Sequence, residues 1–343
     1  MPRPTMNDVA RQAGVGVATV DRVINRRARV KPETAQRVLE AAEAIGFPAA
    51  SLIRRRVNEA SAEHRLGFIL LKRATAFYRL LGDALIEAAR ASGSAHSRPV
   101  VEYLDELTPR AVVERLYQVG AKVDALAVVA ADHPHVSQAI EQLADKGIPT
   151  VTLVTDLTTP QRVGYVGLDN RKVGRTAAWA IGRLSKGPGK VGILMGSHRY
   201  LCQELCEISF RSYFRENAPE FQILEALVSL EEPSLAQAAA LDLLKRHPDL
   251  VGIFVGGGGI EGVIEALKGE VTPRNKLITV CLDLTEYTRT ALIDGVVDMV
   301  IAHPCAALAQ AAVATMVRAL EGKAGDRPTE TLLPFDIFVA ENV

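Results

Sequence analysis

The six residues Gly257-Gly258-Gly259-Ile260-Glu261-Gly262 fit the pattern Gly-x-Gly-x-x-Gly, and Asp283 stands 21 positions after the last of them. Glycines at that spacing let a backbone approach a pyrophosphate at a helix N-terminus, and a later carboxylate can take a ribose hydroxyl. Two facts weigh against a dinucleotide. The pattern lies late in the chain, and a run of four glycines meets it easily by chance. His133-Pro134-His135 brings two imidazoles close, but a proline separates them and no thiolate is near, so a zinc site is not expected. Cys202 and Cys206 share a helical face without further ligands, which fits core packing. No Gly-x-Ser-x-Gly, His-Glu-x-x-His or phosphate-loop pattern occurs. The chain is read as a non-enzyme with no cofactor and no metal.

A different chemistry suits the ends of the apolar runs. In open α/β sheets, ligands gather beyond the carboxyl ends of strands, which nominates Lys72, Asp132, Asp156, Gly257 and Asp283. A sugar needs planar acceptors and donors for its hydroxyls and an aromatic face for its ring C–H groups. Phe77 and Tyr78 can offer that face, although Phe77 equally suits a core position. His198-Arg199-Tyr200 fits either a cleft-side loop or a solvated one.

The elements that must carry these residues alternate. Apolar runs at 66–71, 123–130, 150–154, 163–166, 191–195, 250–255, 277–282 and 298–301 are separated by helical stretches such as 78–91, 136–146, 171–184, 234–247 and 305–320. Runs apolar at nearly every position predict strands covered on both faces, hence parallel sheets with right-handed crossovers. Two successive sets of such units divide near residue 165.

The first sixty residues read differently. Thr5-Met6-Asn7-Asp8 has a helix-start pattern, with Met6, Val9, Ala10 and Ala13 at helical spacing and Gly14 as the stop. A second short helix turns Val20, Val23 and Ile24 inward and Ala18, Asp21, Arg22 and Asn25 outward. Pro32 opens a third, with Ala35, Val38, Leu39, Ala42 and Ile45 as its stripe. Two short helices around a glycine-containing turn, plus a third, predict a helix-turn-helix unit whose second helix enters the major groove. There the Arg22 guanidinium can donate twice to guanine. Charge agrees: the whole chain is neutral, yet residues 1–58 hold 11 lysines and arginines against five acids, which suggests a polyanion-binding module.

Residues 4–47, from Thr5-Met-Asn-Asp-Val-Ala-Arg-Gln-Ala-Gly through Ala18-Thr-Val-Asp-Arg-Val-Ile-Asn25 to Ile45-Gly-Phe47, closely resemble the DNA-binding headpiece of the lactose-repressor (LacI) family of bacterial transcription regulators. The resemblance implies base reading by Val17, Ala18 and Arg22, and contacts near the DNA backbone or groove edge from Thr19, Asn25 and Arg29. Thr5 is grouped with them. Asp21 stands where the family usually has serine. Where the family's hinge helix carries a wedging leucine, this chain has Leu52-Ile53-Arg54-Arg55-Arg56. Either Leu52 or Ile53 wedges in a shifted register, or Arg54, Arg55 and Arg56 hold phosphates.

Residues 64–343 resemble the type I periplasmic sugar-binding fold that this family uses as its effector domain. The markers are Phe77-Tyr78, Val166-Gly-Leu-Asp-Asn170 before Gly174, Leu282-Asp283 and Ile301-Ala-His-Pro304. The resemblance implies a ligand cleft between two subdomains and three chain crossings, expected near 165–168, 284–302 and 328–333. It raises Asp283 and His303 as ligand contacts. Family sugar binders often have an acid where this chain has Val154 and an arginine where it has Cys206, so Asp156 is the candidate replacement for the first, while no arginine replaces the second. The expected effector set is Phe77, Tyr78, Asp132, Asp156, Cys206, Gly257, Asp283 and His303.

The resulting expectation has a small all-α helix-turn-helix headpiece (1–48), a hinge (49–63) and an α/β type I periplasmic-binding-protein-like core (64–343) of two parallel-sheet subdomains. Subdomain 1 takes about 64–166 and 302–329, subdomain 2 about 167–301 and 330–343. Hydrophobic residues at 48% and charged residues at 23% exclude a mainly disordered chain. Four cysteines without a CxxC pair suit a reducing compartment. No secretory leader or membrane span is expected. The function expected is a cytoplasmic, homodimeric transcriptional repressor that binds operator DNA and answers to a sugar, polyol or related metabolite. The alternatives are a sugar-sensing or carbohydrate-processing protein, or an NAD-dependent oxidoreductase using Gly257–Gly262.

Overall fold

The computed structural model describes residues 4–25, 30–60, 64–92, 99–270, 277–323, 325 and 327–343, with the side chains of residues 32, 55, 56, 58–60, 269 and 270 outside that description. The chain forms two compact units, one holding residues 1–64 and 89–98 and the other residues 65–88 and 99–343.

The first unit is helical: α1 (Met6–Ala13), α2 (Val17–Asn25), α3 (Pro32–Ala44) and α4 (Ala50–Ala60). Gly14 ends α1 in the left-handed region at φ 64°, where a side chain would be strained. The Arg37 guanidinium of α3 donates to the Ala13 carbonyl, one of the last acceptors of α1. Val9, Val20 and Val38, each fully buried, meet at the centre. Ile53 of α4 joins them at 0% exposure, while its neighbour Leu52 is 39% exposed. Of the two apolar neighbours, Ile53 is therefore a core residue of this unit and Leu52 is the exposed one.

The second unit holds two sheets. The first contains β1 (Leu66–Leu70), β2 (Val100–Tyr103), β3 (Ala125–Val128), β4 (Thr150–Leu153) and β5 (Gly164–Leu168), with α5 (Ala76–Ala91), α6 (Pro109–Gly120) and α7 (Pro134–Asp145) between them. After α8 (Asn170–Leu184) come β6 (Lys190–Met195), α9 (Leu201–Asn217), β7 (Gln222–Ile223), β8 (Leu227–Val228), α10 (Pro233–Arg246), β9 (Leu250–Val255), α11 (Ile260–Glu270), β10 (Ile278–Leu282), α12 (Glu286–Ile293) and β11 (Met299–Ala302). The chain closes with α13 (Cys305–Leu320), β12 (Thr329–Leu333) and β13 (Asp336–Phe338).

Strand order is β12-β5-β4-β3-β1-β2 in one sheet and β13-β11-β10-β9-β6-β7 in the other, with β8 beside β6. All pairs are parallel except β11 with β13. Strands β1, β3, β4 and β5 are buried at every position, as apolar runs between two helical layers require. The chain passes from the first sheet to the second at Asp169, back at 303–304, and across again at 334–335. The subdomain boundaries expected at 166/167 and 329/330 shift accordingly. The whole of β12 pairs with β5, from Thr329 against Gly164 to Leu333 against Leu168, so 330–333 belong to the first sheet. Residues 284–301, expected to include a crossing, stay in the second lobe as α12 and β11.

Candidate functional site

In the helical unit, α2 turns Val20 and Val23 into the core and leaves Val17, Ala18, Arg22 and Asn25 exposed, with Thr19 half-buried. Asp21 is not a bare acid on this face, since its Oδ1 accepts from Asn25 Nδ2 at 2.7 Å. Two expected DNA contacts have partners of their own. The Thr5 hydroxyl donates to Asp8 at 2.7 Å, and Arg54 Nε donates to Glu43 at 2.9 Å. The Thr5 hydroxyl proton is thus used inside the α1 cap, as the Arg54 guanidinium is used on Glu43. Arg29 and the side chains of Arg55 and Arg56 lie outside the described residues.

In the larger unit, the ends of both sheets face a cleft lined by Phe77, Tyr78, Glu231, Asp283 and His303. Asp283 follows β10, held at φ 64°. Its Oδ1 accepts from the His303 backbone N–H at 3.1 Å and from His303 Nδ1 at 2.7 Å. The carboxylate thus holds a proton on Nδ1, and in the neutral ring Nε2 is then an acceptor. That Nε2 is buried and has no hydrogen-bond partner, in a side chain only 6% exposed. An unpaired buried polar atom costs about 1–3 kcal/mol, a cost that a donor in the cleft would offset. Phe77 packs on the His303 ring at 5.2 Å and on Tyr78 at 5.0 Å. Phe77 therefore serves both readings, core residue and cleft wall.

The same cleft is lined by a carboxylate that sequence patterns did not single out. Glu231 is 6% exposed. Its Oε1 accepts from Gln203 Nε2 at 2.9 Å and from the Gly258 N–H at 3.2 Å. Gln203 Oε1 in turn accepts the Gly196 and Ser197 N–H groups at 2.7 and 3.1 Å. Burial raises the Glu231 pKa, against the lowering effect of those two donors. A Cβ at Gly196 or Gly258 would overlap this carboxylate, one at Gly257 would strike Gly196 N and Gln203, and one at Gly262 would strike the Pro233 carbonyl. The glycine run is thus explained by packing around Glu231 and α10. A pyrophosphate is not required to account for it.

Backbone strain collects in the same place. Among the described residues, the non-glycine positions with positive φ are Val154, Leu230, Glu231 and Asp283. Val154, Glu231 and Asp283 line the cleft, and Leu230 lines the cavity beside it. Such conformations cost about 1–3 kcal/mol each and mark sites where geometry is imposed by function. Tyr200, Cys202, Asn170 and Thr155 complete the wall. Burial pushes the Cys202 thiol up to about 12 and the Cys206 thiol well above its usual range, so neither is a ready nucleophile. Both thiols line the cleft, and Cys206 Sγ donates to the Asn170 carbonyl at 3.3 Å.

Two expected ligand contacts are otherwise engaged. Asp156 pairs with Arg162 at 2.7 Å and takes the Thr152 hydroxyl at 2.7 Å; it does not replace the missing acid at Val154. Asp132 Oδ1 accepts the N–H and hydroxyl of Thr158, fixing a loop outside the cleft. Lys72 crosses between the lobes, donating to the Glu231 carbonyl at 3.4 Å and pairing with the Glu232 carboxylate. Two other links cross beside it, from Asp132 N to the Arg199 carbonyl at 2.8 Å and from Cys202 N to Thr155 Oγ1 at 3.3 Å. His133 Nδ1 accepts the His135 N–H at 3.2 Å and caps α7. Tyr200, indistinguishable from a solvated loop residue in the sequence, is 4% exposed.

Comparison with known proteins covers both units. Residues 5–49 match the model for bacterial regulatory proteins of the lacI family, and residues 66–324 match that for the periplasmic binding protein domain. The transcriptional regulator GalS of Salmonella typhimurium is 25% identical over 270 residues, 77% of this chain and 75% of GalS. Catabolite control protein A of Priestia megaterium is 51% identical over 43 residues, which span 12% of this chain and 13% of that protein. A solute-binding protein of Agrobacterium vitis, solved with α-D-tagatopyranose, superposes with a TM-score of 0.73 at 22% identity, covering 81% of this chain and 95% of that one. One from Burkholderia graminis, solved with D-arabinose, gives 0.73 at 19% identity over 82% and 97%. Those structures share the fold.

Proposed function

Because the chain belongs to the LacI family of bacterial transcription regulators, we propose that it represses its operators under the control of a small polar effector held by Asp283 and His303. The protein is a DNA-binding transcriptional regulator whose larger unit has the fold of sugar-binding proteins. The effector is a sugar, polyol or related metabolite. The observation that carries this reading is the Asp283–His303 pair, with its unpartnered Nε2 at the cleft. Phe77 and Tyr78 supply the ring face, and Gly257 and Cys206 supply the floor.

On the DNA side, Val17, Ala18 and Arg22 read bases from α2, Thr19, Asn25 and Arg29 steady the backbone, and Arg54, Arg55 and Arg56 meet phosphates. Exposure of Val17, Ala18 and Arg22 on one helix supports this assignment. The headpiece spans 1–48 and the hinge 49–63. The regulator works in the cytoplasm as a homodimer and not as an enzyme. Support for the last point comes from its relatives, which are regulators, and from the packing role of the glycine run. Effector binding changes the angle between lobes, and the typical coupling in such systems is about 1–3 kcal/mol. The ligand must bind one lobe arrangement better than the other.

Asp283→Ala tests the site. A thermal-shift screen of sugars and polyols first finds a binder for the full chain. Loss of charge-assisted bonds worth about 1.5–3 kcal/mol each then lowers its affinity tenfold or more. DNA affinity without effector stays within twofold of the parent. Unchanged effector affinity removes Asp283 from the site; loss of both functions with a lower melting temperature marks a folding defect.

A further inference from the structure

The walls of the cleft carry an uneven charge. Glu231, Glu261 and Asp283 line it, together with His303, and no lysine or arginine does. Lys72 and Arg199 line the neighbouring cavity, and Tyr200 and Glu231 stand in the wall common to both spaces. These cations are also occupied. Lys72 pairs with Glu232 and reaches the Glu231 carbonyl, and Arg199 Nη1 donates to the Asp132 carbonyl at 3.4 Å. Glu231 thus stands in the wall between the ligand space and these two cations, while Arg171 lines a further cavity that shares Asn170 and Cys202 with the cleft.

The charged and ring atoms that face a ligand are acceptors on His303, Asp283 and Glu231, set among the hydroxyls of Thr75, Tyr78, Tyr200 and Thr285 and the first turn of α11. His303 Nε2 is buried without a partner, and Asp283 Oδ1 is already spent on His303. Glu231 Oε1 takes its two donors from neutral groups, Gln203 and Gly258. A phosphate or carboxylate entering here would meet acceptors and like charge. A ligand rich in hydroxyl donors would satisfy them.

We propose that Glu231 is a specificity-determining residue that admits uncharged polyhydroxylated ligands to the cleft and excludes their phosphorylated and acid counterparts. The inference rests on the assignment of the cleft as the effector site. The carboxylate is rigidly built for this task. It is clamped by Gln203 and by the backbone of Gly258, and glycines at 196 and 258 clear the space it fills. In its ionised form it repels an anion; in its protonated form it still provides no cation to bind one.

The test uses matched pairs on the full chain by isothermal titration calorimetry: glucose, fructose and arabinose, each against its terminal phosphate, and glucose and galactose each against its uronic acid. The neutral member of every binding pair is expected to bind at least tenfold more tightly. Glu231→Gln keeps the shape and removes the charge, and is expected to narrow that gap at least threefold. An anionic member that binds as well as its neutral partner, or a panel in which no neutral member binds at millimolar concentration, overturns the proposal. If Glu231→Gln fails to fold, the parent pairs still decide the ligand class, and Lys72→Met, which removes a cation of the neighbouring cavity, is expected to leave the preference for neutral ligands in place. Reversal of the preference in Lys72→Met would overturn the role given to Glu231. His303→Ala and Asp283→Ala are measured on the same binders. Unchanged affinity there withdraws the cleft itself, whereas lost affinity for an anionic binder keeps the cleft and withdraws only the charge selection.

Discussion

Burial holds the Glu231 proton to higher pH in the folded chain than in the unfolded one, and that difference is a stability effect. The folded pKa lies above the ordinary value of 4.5. The protonated carboxyl's contribution is therefore complete below that value and is lost as pH rises through the folded pKa. Glu231→Gln, which never ionises, is predicted to raise the melting temperature at pH 8 and to leave it nearly unchanged at pH 4. A thermal melt series across that range checks the sign, and equal shifts at both ends would remove ionisation as the cause. Asp283 and His303 were legible from the sequence because each ends or follows an apolar run and matches a family pattern. Glu231 was not, because it follows the short strand β8 and nothing in Ser229-Leu230-Glu231-Glu232 marks it. Its trace was indirect, in the glycines at 196 and 258 that must stay small around it. Asp132 and Asp156 show the opposite error: a carboxylate beyond a strand can be spent on a loop threonine or a nearby arginine.

The helix α4 belongs to the headpiece core through one residue. Ile53 is fully buried there, and truncating a buried isoleucine costs about 2–5 kcal/mol. Ile53→Ala is predicted to weaken hydrogen-exchange protection across α1–α4 and to abolish specific DNA binding. Leu52→Ala should leave that protection unchanged, because exposed substitutions stay within about 0.5 kcal/mol, while still reducing operator affinity if Leu52 wedges between bases. Equal protection in both variants would place Ile53 outside the core. Sequence periodicity found α1, α2 and α3 almost to the residue, since each has a full apolar stripe and a glycine or proline at an end. It left the hinge register open because Leu52 and Ile53 are equally apolar neighbours, and only packing distinguishes them. The interior strands were equally visible as apolar runs. The edge strands β2 and β12 were not, because their outward residues are polar, as in Thr329-Glu330-Thr331.

Across the larger unit the lobes are joined by Lys72 with Glu232 as well as by the three chain crossings. Glu232 is half exposed, so the ion pair is worth about 0.5–1 kcal/mol after screening. Lys72→Met is predicted to lower effector affinity two- to fivefold by favouring the open arrangement, with a larger radius of gyration by X-ray scattering before ligand is added. An unchanged radius would mean that the pair does not hold the lobes. One further consequence lies in the second crossing. His303 sits between Ala302, the last residue of β11, and Pro304, whose ring restricts the backbone before α13. The imidazole proposed to meet the ligand is thereby attached to one of the three segments that join the lobes. A ligand held at that nitrogen, as proposed above, would act directly on the segment that joins the lobes, as a key acts on the barrel in which it is seated.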